Sequence, residues 1–179
     1  MNIDRVVSRL QQAARVVVEE TAQAGGKNEV TLASGPATLD GLRAEFQERV
    51  PPEVTEFFSA VDEVHLPDLW NGYFIGSPQQ IADVHRARRP QFVKHAGKLH
   101  DVMIVATTGN GVRYAIPVPE DGPVWVLPPA PIVDGAYQAD DAEALVFRVI
   151  APHFGFFVEQ IATYAIVEDG DPFDPYRFS

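Results

Sequence analysis

The sequence predicts a fold that mixes α and β elements, on three observations. Apolar residues recur at three- and four-residue spacings near the N-terminal end, β-branched runs follow one another in the middle, and helical spacing returns toward the C-terminal end.

Residues 3 to 22 place Ile3, Val6, Val7, Leu10, Ala13, Ala14, Val17 and Val18 on one stripe, with Arg5, Arg9, Gln12 and Glu19 between them, which predicts an amphipathic helix. Two glycines, Gly25 and Gly26, end it, and a short strand is expected at Val30 to Leu32. A second helix is expected from Leu39 to about Arg49, with Thr38 as N-cap and Leu42, Phe46 and Val50 along one face. A third follows in "VPPEVTEFFSAV", because proline in a first turn has no amide proton to lose and Glu53 favours the positive end of the helix dipole.

From residue 66 the pattern is short, aromatic and punctuated, which predicts a loop into a strand at Tyr73 to Ile75 and a helix starting near Ser77. That helix must end at or before Arg89, since the residue preceding a proline is pushed out of helical geometry. Strands are expected at Val102 to Thr107, Val112 to Val118 and Val124 to Leu127. Pro128 to Asp141 reads as a connection rich in proline, glycine and aspartate. Beyond it Leu145, Phe147, Ile150, Phe154, Phe157, Ile161 and Tyr164 suggest a last helix, capped by Asp140 or Asp141 and broken near Ala151 by Pro152.

At 179 residues and 46% hydrophobic content, with no internal repeat or long linker, a single domain over 1–179 is expected: an N-terminal helix at 3–22, a core at about 38–162 and an acidic, aromatic tail at 168–179. No window has the roughly 18 apolar residues of a membrane span, and the first residues lack the pattern of a signal peptide, so the expected location is cytoplasmic. The chain has no cysteine, which excludes disulfides and thiolate metal ligands.

Against 14 basic residues stand 25 acidic ones, a formal charge of −11, with −4 over residues 1–90 and −7 over residues 91–179. Such a surface repels nucleic acid and anionic lipid and favours encounter with a basic protein. The simpler reading is that the charge keeps the protein soluble.

The stretch "TTGNGVRYAI" at Thr107 to Ile116 has the look of a phosphate-cradling glycine loop, but no lysine follows the glycines and the sequence leads into a strand. A hairpin turn centred on Asn110-Gly111 fits better, because both residues tolerate positive φ. The five histidines, His65, His85, His95, His100 and His153, show no metal-ligand spacing and read as surface or hydrogen-bonded core residues. Ser34 has no nucleophile-elbow context. The run His85 to His100 carries five Lys or Arg residues and no acidic one, and it either binds an anion or pairs with the protein's own carboxylates.

Between Glu120 and Ser179, 11 acidic residues face only Arg148 and Arg177. This is either a solvated acidic face or a docking face for a basic protein. The candidate partner-binding residues are Asp134, Tyr137, Asp140, Asp141, Glu143, Asp169, Asp171, Asp174 and Tyr176, with Trp70 and Tyr73 as aromatic alternatives that also suit a core. No catalytic residue, cofactor or metal ligand is nominated.

The order of "LRAEFQERVPPEVTEFFSAVDE", "YFIGSPQQI", "VMIVATTGNGVRYAIPV", "GPVWVL" and "FRVIAPHFGFFVEQI" resembles the SUKH superfamily, which includes a fungal regulator of cell-wall synthesis and many bacterial immunity proteins. Val50-Pro51-Pro52 stands for the family's Leu-Pro helix opening, Phe57-Phe58 for its helix aromatics, Gly109-Asn110-Gly111 for its hairpin, and Gly122 to Trp125 and Phe156-Phe157 for its last elements. The chain departs from that pattern in the long Pro128 to Asp141 loop and in lacking a clear Asn-Gly-Gly after the second helix, a role left to Asn71-Gly72 if to any residues. The resemblance implies an α+β fold, an antiparallel β-sheet packed against N-terminal and C-terminal helices. It also implies a non-catalytic immunity protein that neutralises a toxin, often a nuclease. The alternative is a regulatory or scaffold protein on the same fold, and family likeness alone decides neither.

Overall fold

The computed structural model describes residues 1–21, 27–119, 122–139 and 148–164. Within them the protein has an α+β fold, a mixed and mostly antiparallel sheet flanked by helices.

Helix α1 (Ile3–Thr21) follows its apolar stripe, burying Val6, Leu10, Ala13 and Ala14. Strand β1 (Glu29–Leu32) comes next. Helix α2 spans Asp40–Phe46, shorter than the expected Leu39 to Arg49, because 3-10 turns at Pro36–Leu39 and Gln47–Arg49 flank it. Thr38 is not its cap: it lies in the first 3-10 turn, and Leu39 takes the N-cap position without a side-chain hydrogen bond. Helix α3 (Pro52–Ala60) starts on its proline as expected and buries Val54, Phe57 and Phe58.

Strand β2 (Val61–Leu66) runs directly on from α3, where no strand was expected. Strand β3 (Tyr73–Ile75) leads to helix α4 (Pro78–Arg86), whose N-cap Ser77 accepts from the Gln80 amide at 3.3 Å while Gln80 Oε1 accepts from the Ser77 amide at 2.8 Å. Strand β4 (Phe92–His95), also unexpected, joins β5 (Lys98–Thr108) through Ala96-Gly97, whose φ values of 49° and 71° suit a two-residue primed turn. β6 (Arg113–Pro117) and β7 (Val124–Leu127) match their expected strands.

The Pro128 to Asp141 connection contains a second tight hairpin, β8 (Ile132–Val133) and β9 (Ala136–Gln138), turning on Asp134-Gly135 at φ 51° and 82°. The expected last helix is corrected in its first half: Arg148–Ala151 is strand β10, paired with β7, and α5 begins only at Phe154 and runs to Tyr164. Pro152 therefore separates a strand from a helix. Residues 140–147, with the expected caps Asp140 and Asp141, lie outside the described residues.

The sheet runs β1-β2-β3-β5-β4-β9-β8, and β6, β7 and β10 continue from the other edge of β5. Length lets β5 serve two neighbours on one edge: Ala106 to Thr108 pair with β3, and Lys98 to Asp101 pair with β4. Helix α4, which joins β3 to β4 in sequence, packs against β5.

Cross-strand partners share a face. Val30, Val64, Ile75, Ala106, Tyr114 and Val126 form one continuous row, which faces the main core with α1, α3 and α5. In that core Tyr73 and Tyr114 stack with ring centroids 5.9 Å apart, and Phe57, Phe58, Phe154 and Phe157 form an aromatic cluster. A smaller core on the opposite face gathers Val93, Val102, Ile104, Ala115, Trp125, Leu127 and Tyr137.

The hairpin after β5 differs in register from the expected one. The Gly111 amide donates to the Thr108 carbonyl at 3.0 Å and the Thr108 amide to the Val112 carbonyl at 2.9 Å, so the turn centres on Gly109-Asn110 and Gly111 follows at φ 87°. That is a three-residue loop closed by a glycine bulge. Gly109 also donates to the Asn71 carbonyl at 2.7 Å, tying the loop to the chain before β3.

Candidate functional site

The densest polar cluster in the described residues centres on His85. Its ring is 3% exposed; Nδ1 lies 2.7 Å from Glu45 Oε1 on α2, and Nε2 lies 3.0 Å from Asp101 Oδ1 on β5. Arg49 pairs with Asp101, Arg86 Nε lies 3.3 Å from Glu45, and the Phe46 ring covers the imidazole at a centroid distance of 4.4 Å. Each ring nitrogen thus faces one carboxylate, so both are engaged within the cluster. The cluster fastens α2, α4 and β5 together. Among the described residues no group of three or more His, Asp and Glu is arranged to hold a metal ion.

A second polar joint ties α3 to α5. Glu53 Oε2, in the first turn of α3, accepts from the Gly155 amide at 2.8 Å and lies 2.8 Å from His153 Nδ1, so one carboxylate satisfies the start of α5. Both joints are scaffold.

Part of the second face of the sheet, beside the smaller core, remains open. The row beside the buried one reads Glu29, His65, Phe74, Thr107, Arg113 and Leu127 across β1, β2, β3, β5, β6 and β7. Glu29 and His65 are exposed, Phe74, Thr107 and Arg113 partly so, and Leu127 enters the smaller core. The His65 and Phe74 rings meet edge to face at 5.0 Å. Between this row and α4 lies an open groove of about 370 Å³ with Phe74, Ile81, Val84, Ile104 and Thr107 along it and Glu63 at its polar margin. Its volume and largely apolar lining suit a binding site.

Of the sequence-nominated residues, Asp134 is exposed at the β8–β9 turn, where an interface can reach it. Tyr137 is corrected: its side chain is fully buried in the smaller core and its hydroxyl donates to the Pro128 carbonyl at 2.9 Å, so it is not a surface anchor. Tyr73 is core as well, and Trp70 is half-buried against it, with rings 5.8 Å apart. Asp140, Asp141, Glu143, Asp169, Asp171, Asp174 and Tyr176 lie outside the described residues.

The basic run divides. Arg86 pairs with Glu45 and with Asp83 at 2.6 Å, whereas Arg88, Arg89, Lys94 and Lys98 are exposed along the chain from α4 to the β4–β5 turn. Sequence reasoning missed the groove, because Glu63, Phe74 and Val84 come from three elements and converge only through pairing. Its one legible part is the Ser77-Gln80 capping box, a Ser-x-x-Gln pattern that sets where α4 begins.

The comparisons add no relative: no protein-family model matches the chain, and no curated protein matches it. Likeness to the SUKH superfamily therefore rests on the motifs quoted above. Among the described residues no helix is long and apolar enough to cross a membrane.

Proposed function

We propose that this chain is a SUKH-like, non-catalytic binding protein of the immunity type, which neutralises a basic, nuclease-like toxin in the cytoplasm. The observation that carries the reading is an acidic chain, −11 overall, with an open apolar groove between its sheet and α4. A nuclease binds a polyanion and is itself basic, so excess carboxylates steer the encounter, and an apolar depression then supplies the contact that holds the complex. Residues 120–179 hold 11 of the 25 acidic residues against two basic ones, −9 of the net −11. The engagement of both His85 nitrogens supports a binding role, since the most buried titratable cluster is occupied with holding helices to the sheet.

The test titrates the purified chain against the purified product of the neighbouring gene, with co-expression in cells alongside. The expected result is a tight complex that protects the cells, with an association rate that falls about tenfold or more as salt rises from roughly 50 to 500 mM. A complex whose association ignores salt removes the acidic steering, and the absence of both binding and protection removes the immunity reading.

A further inference from the structure

Glu63 sits at the margin of the groove, on β2, with its side chain partly buried. Among the described residues its side chain makes one hydrogen bond, a long one from Gln80 Nε2 at 3.4 Å, and pairs with no cation. Gln80 is held from behind, because its Oε1 accepts from the Ser77 amide in the α4 capping box, so the Nε2 group that meets Glu63 is fixed by the helix start. The absence of a side chain at Gly76 leaves room for this: a Cβ there would stand 3.0 Å from Gln80 Oε1. The rest of the lining is Phe74, Ile81, Val84, Ile104, Val105, Ala106 and Thr107, with no basic group.

An apolar slot ending in a carboxylate that lacks a cation matches a long alkyl chain ending in a positive charge. We infer that the groove binds a lysine or arginine side chain of the protein partner, its methylene stem along Phe74, Val84 and Ile104 and its charged head on Glu63. This rests on the binding role proposed above and names where on the open face the partner is gripped. The attraction is charge complementarity: a cation meets the Glu63 carboxylate, in a chain whose overall charge of −11 already favours it. The groove volume of about 370 Å³ lies within the ~300–1,000 Å³ common for ligand sites.

The test needs no partner. Hexylamine, a primary ammonium on a straight alkyl stem, is titrated into the labelled full chain and followed by amide NMR, with hexanol as the uncharged counterpart. Hexylamine is expected to shift the Gly76, Gln80 and Ala106 amides saturably, with a dissociation constant in the millimolar range. Hexanol and the Glu63→Gln variant are each expected to weaken binding about tenfold, the worth of one charge-assisted hydrogen bond. Equal binding of hexylamine and hexanol to the wild-type chain, an unchanged affinity in Glu63→Gln, or shifts confined to other parts of the protein each overturn the proposal. None of these outcomes touches the salt-dependent complex with the toxin, so the two readings fail separately.

Discussion

His85 on α4 and Asp101 on β5 meet at 3.0 Å, and the opposite ring nitrogen of the same histidine meets Glu45 on α2 at 2.7 Å. One imidazole thus joins three elements that lie up to 56 residues apart in sequence, from Glu45 to Asp101. The carboxylates keep some solvent contact, 18% and 22% of side-chain area, while the ring itself has almost none. Replacing His85 by leucine leaves both acids facing an apolar group, with Arg86 and Arg49 as their remaining cations. The expected loss is about 2–3 kcal/mol, below the cost of orphaning a fully buried charge. A fall in the urea midpoint at unchanged slope checks it, and an unchanged midpoint refutes the fastening role.

Glu53 joins the starts of α3 and α5. Glu53→Ala strips the Gly155 amide and His153 of their common acceptor, at an expected cost of about 1–2 kcal/mol. Gly155→Ala should also cost stability, because its Cβ would lie 3.1 Å from both Glu53 carboxylate oxygens. In the double variant the two effects should not add, and thermal melts of the four proteins measure that coupling.

Gly111 at φ 87° has nothing nearer than Pro129 Cγ at 3.7 Å to an added Cβ. The penalty of Gly111→Ala is therefore one of backbone conformation, about 1 kcal/mol, with asparagine tolerated better than alanine and valine worse. Equal stability of all three variants would show that the glycine bulge is not required.

Tyr137 and Asp134 separate core from surface within one hairpin. Tyr137→Phe should cost about 1 kcal/mol by leaving the Pro128 carbonyl without its donor, and Tyr137→Ala about 3 kcal/mol or more, while the folded fraction keeps its partner affinity. Asp134→Asn, on an exposed turn, should leave the melting temperature within about a degree and slow association with a basic partner. Parallel melting and association measurements on both variants reveal any reversal of this assignment.

The parts of the fold written in local chemistry were legible. The α1 stripe, the Pro51-Pro52 start of α3, Ser77 ahead of α4 and the β-branched strands from β5 to β7 each depend on residues close in sequence. Asp134-Gly135 is a local signal too, an Asp-Gly pair between short apolar runs, masked by the prolines of the connection around it. Strand β2 was hidden because Val61, Val64 and Leu66 face the core while Asp62 and Glu63 sit side by side, so no clean alternation marks it. In β10 the spacing of Ile150 to Phe154 imitates a helix, and pairing with β7 overrides it.

By itself the sequence determined composition, charge and local element type: an acidic chain without cysteine, helical toward both ends and stranded between, with a glycine hairpin rather than a phosphate loop. Tertiary structure alone decided which side chains meet. Glu45, His85 and Asp101 become one cluster, Tyr137 becomes core, and Glu63 comes to border a groove beside α4, because strand register and helix docking bring together residues from separate elements. Periodicity within one element reports which face is buried, and it carries no record of what that face is buried against.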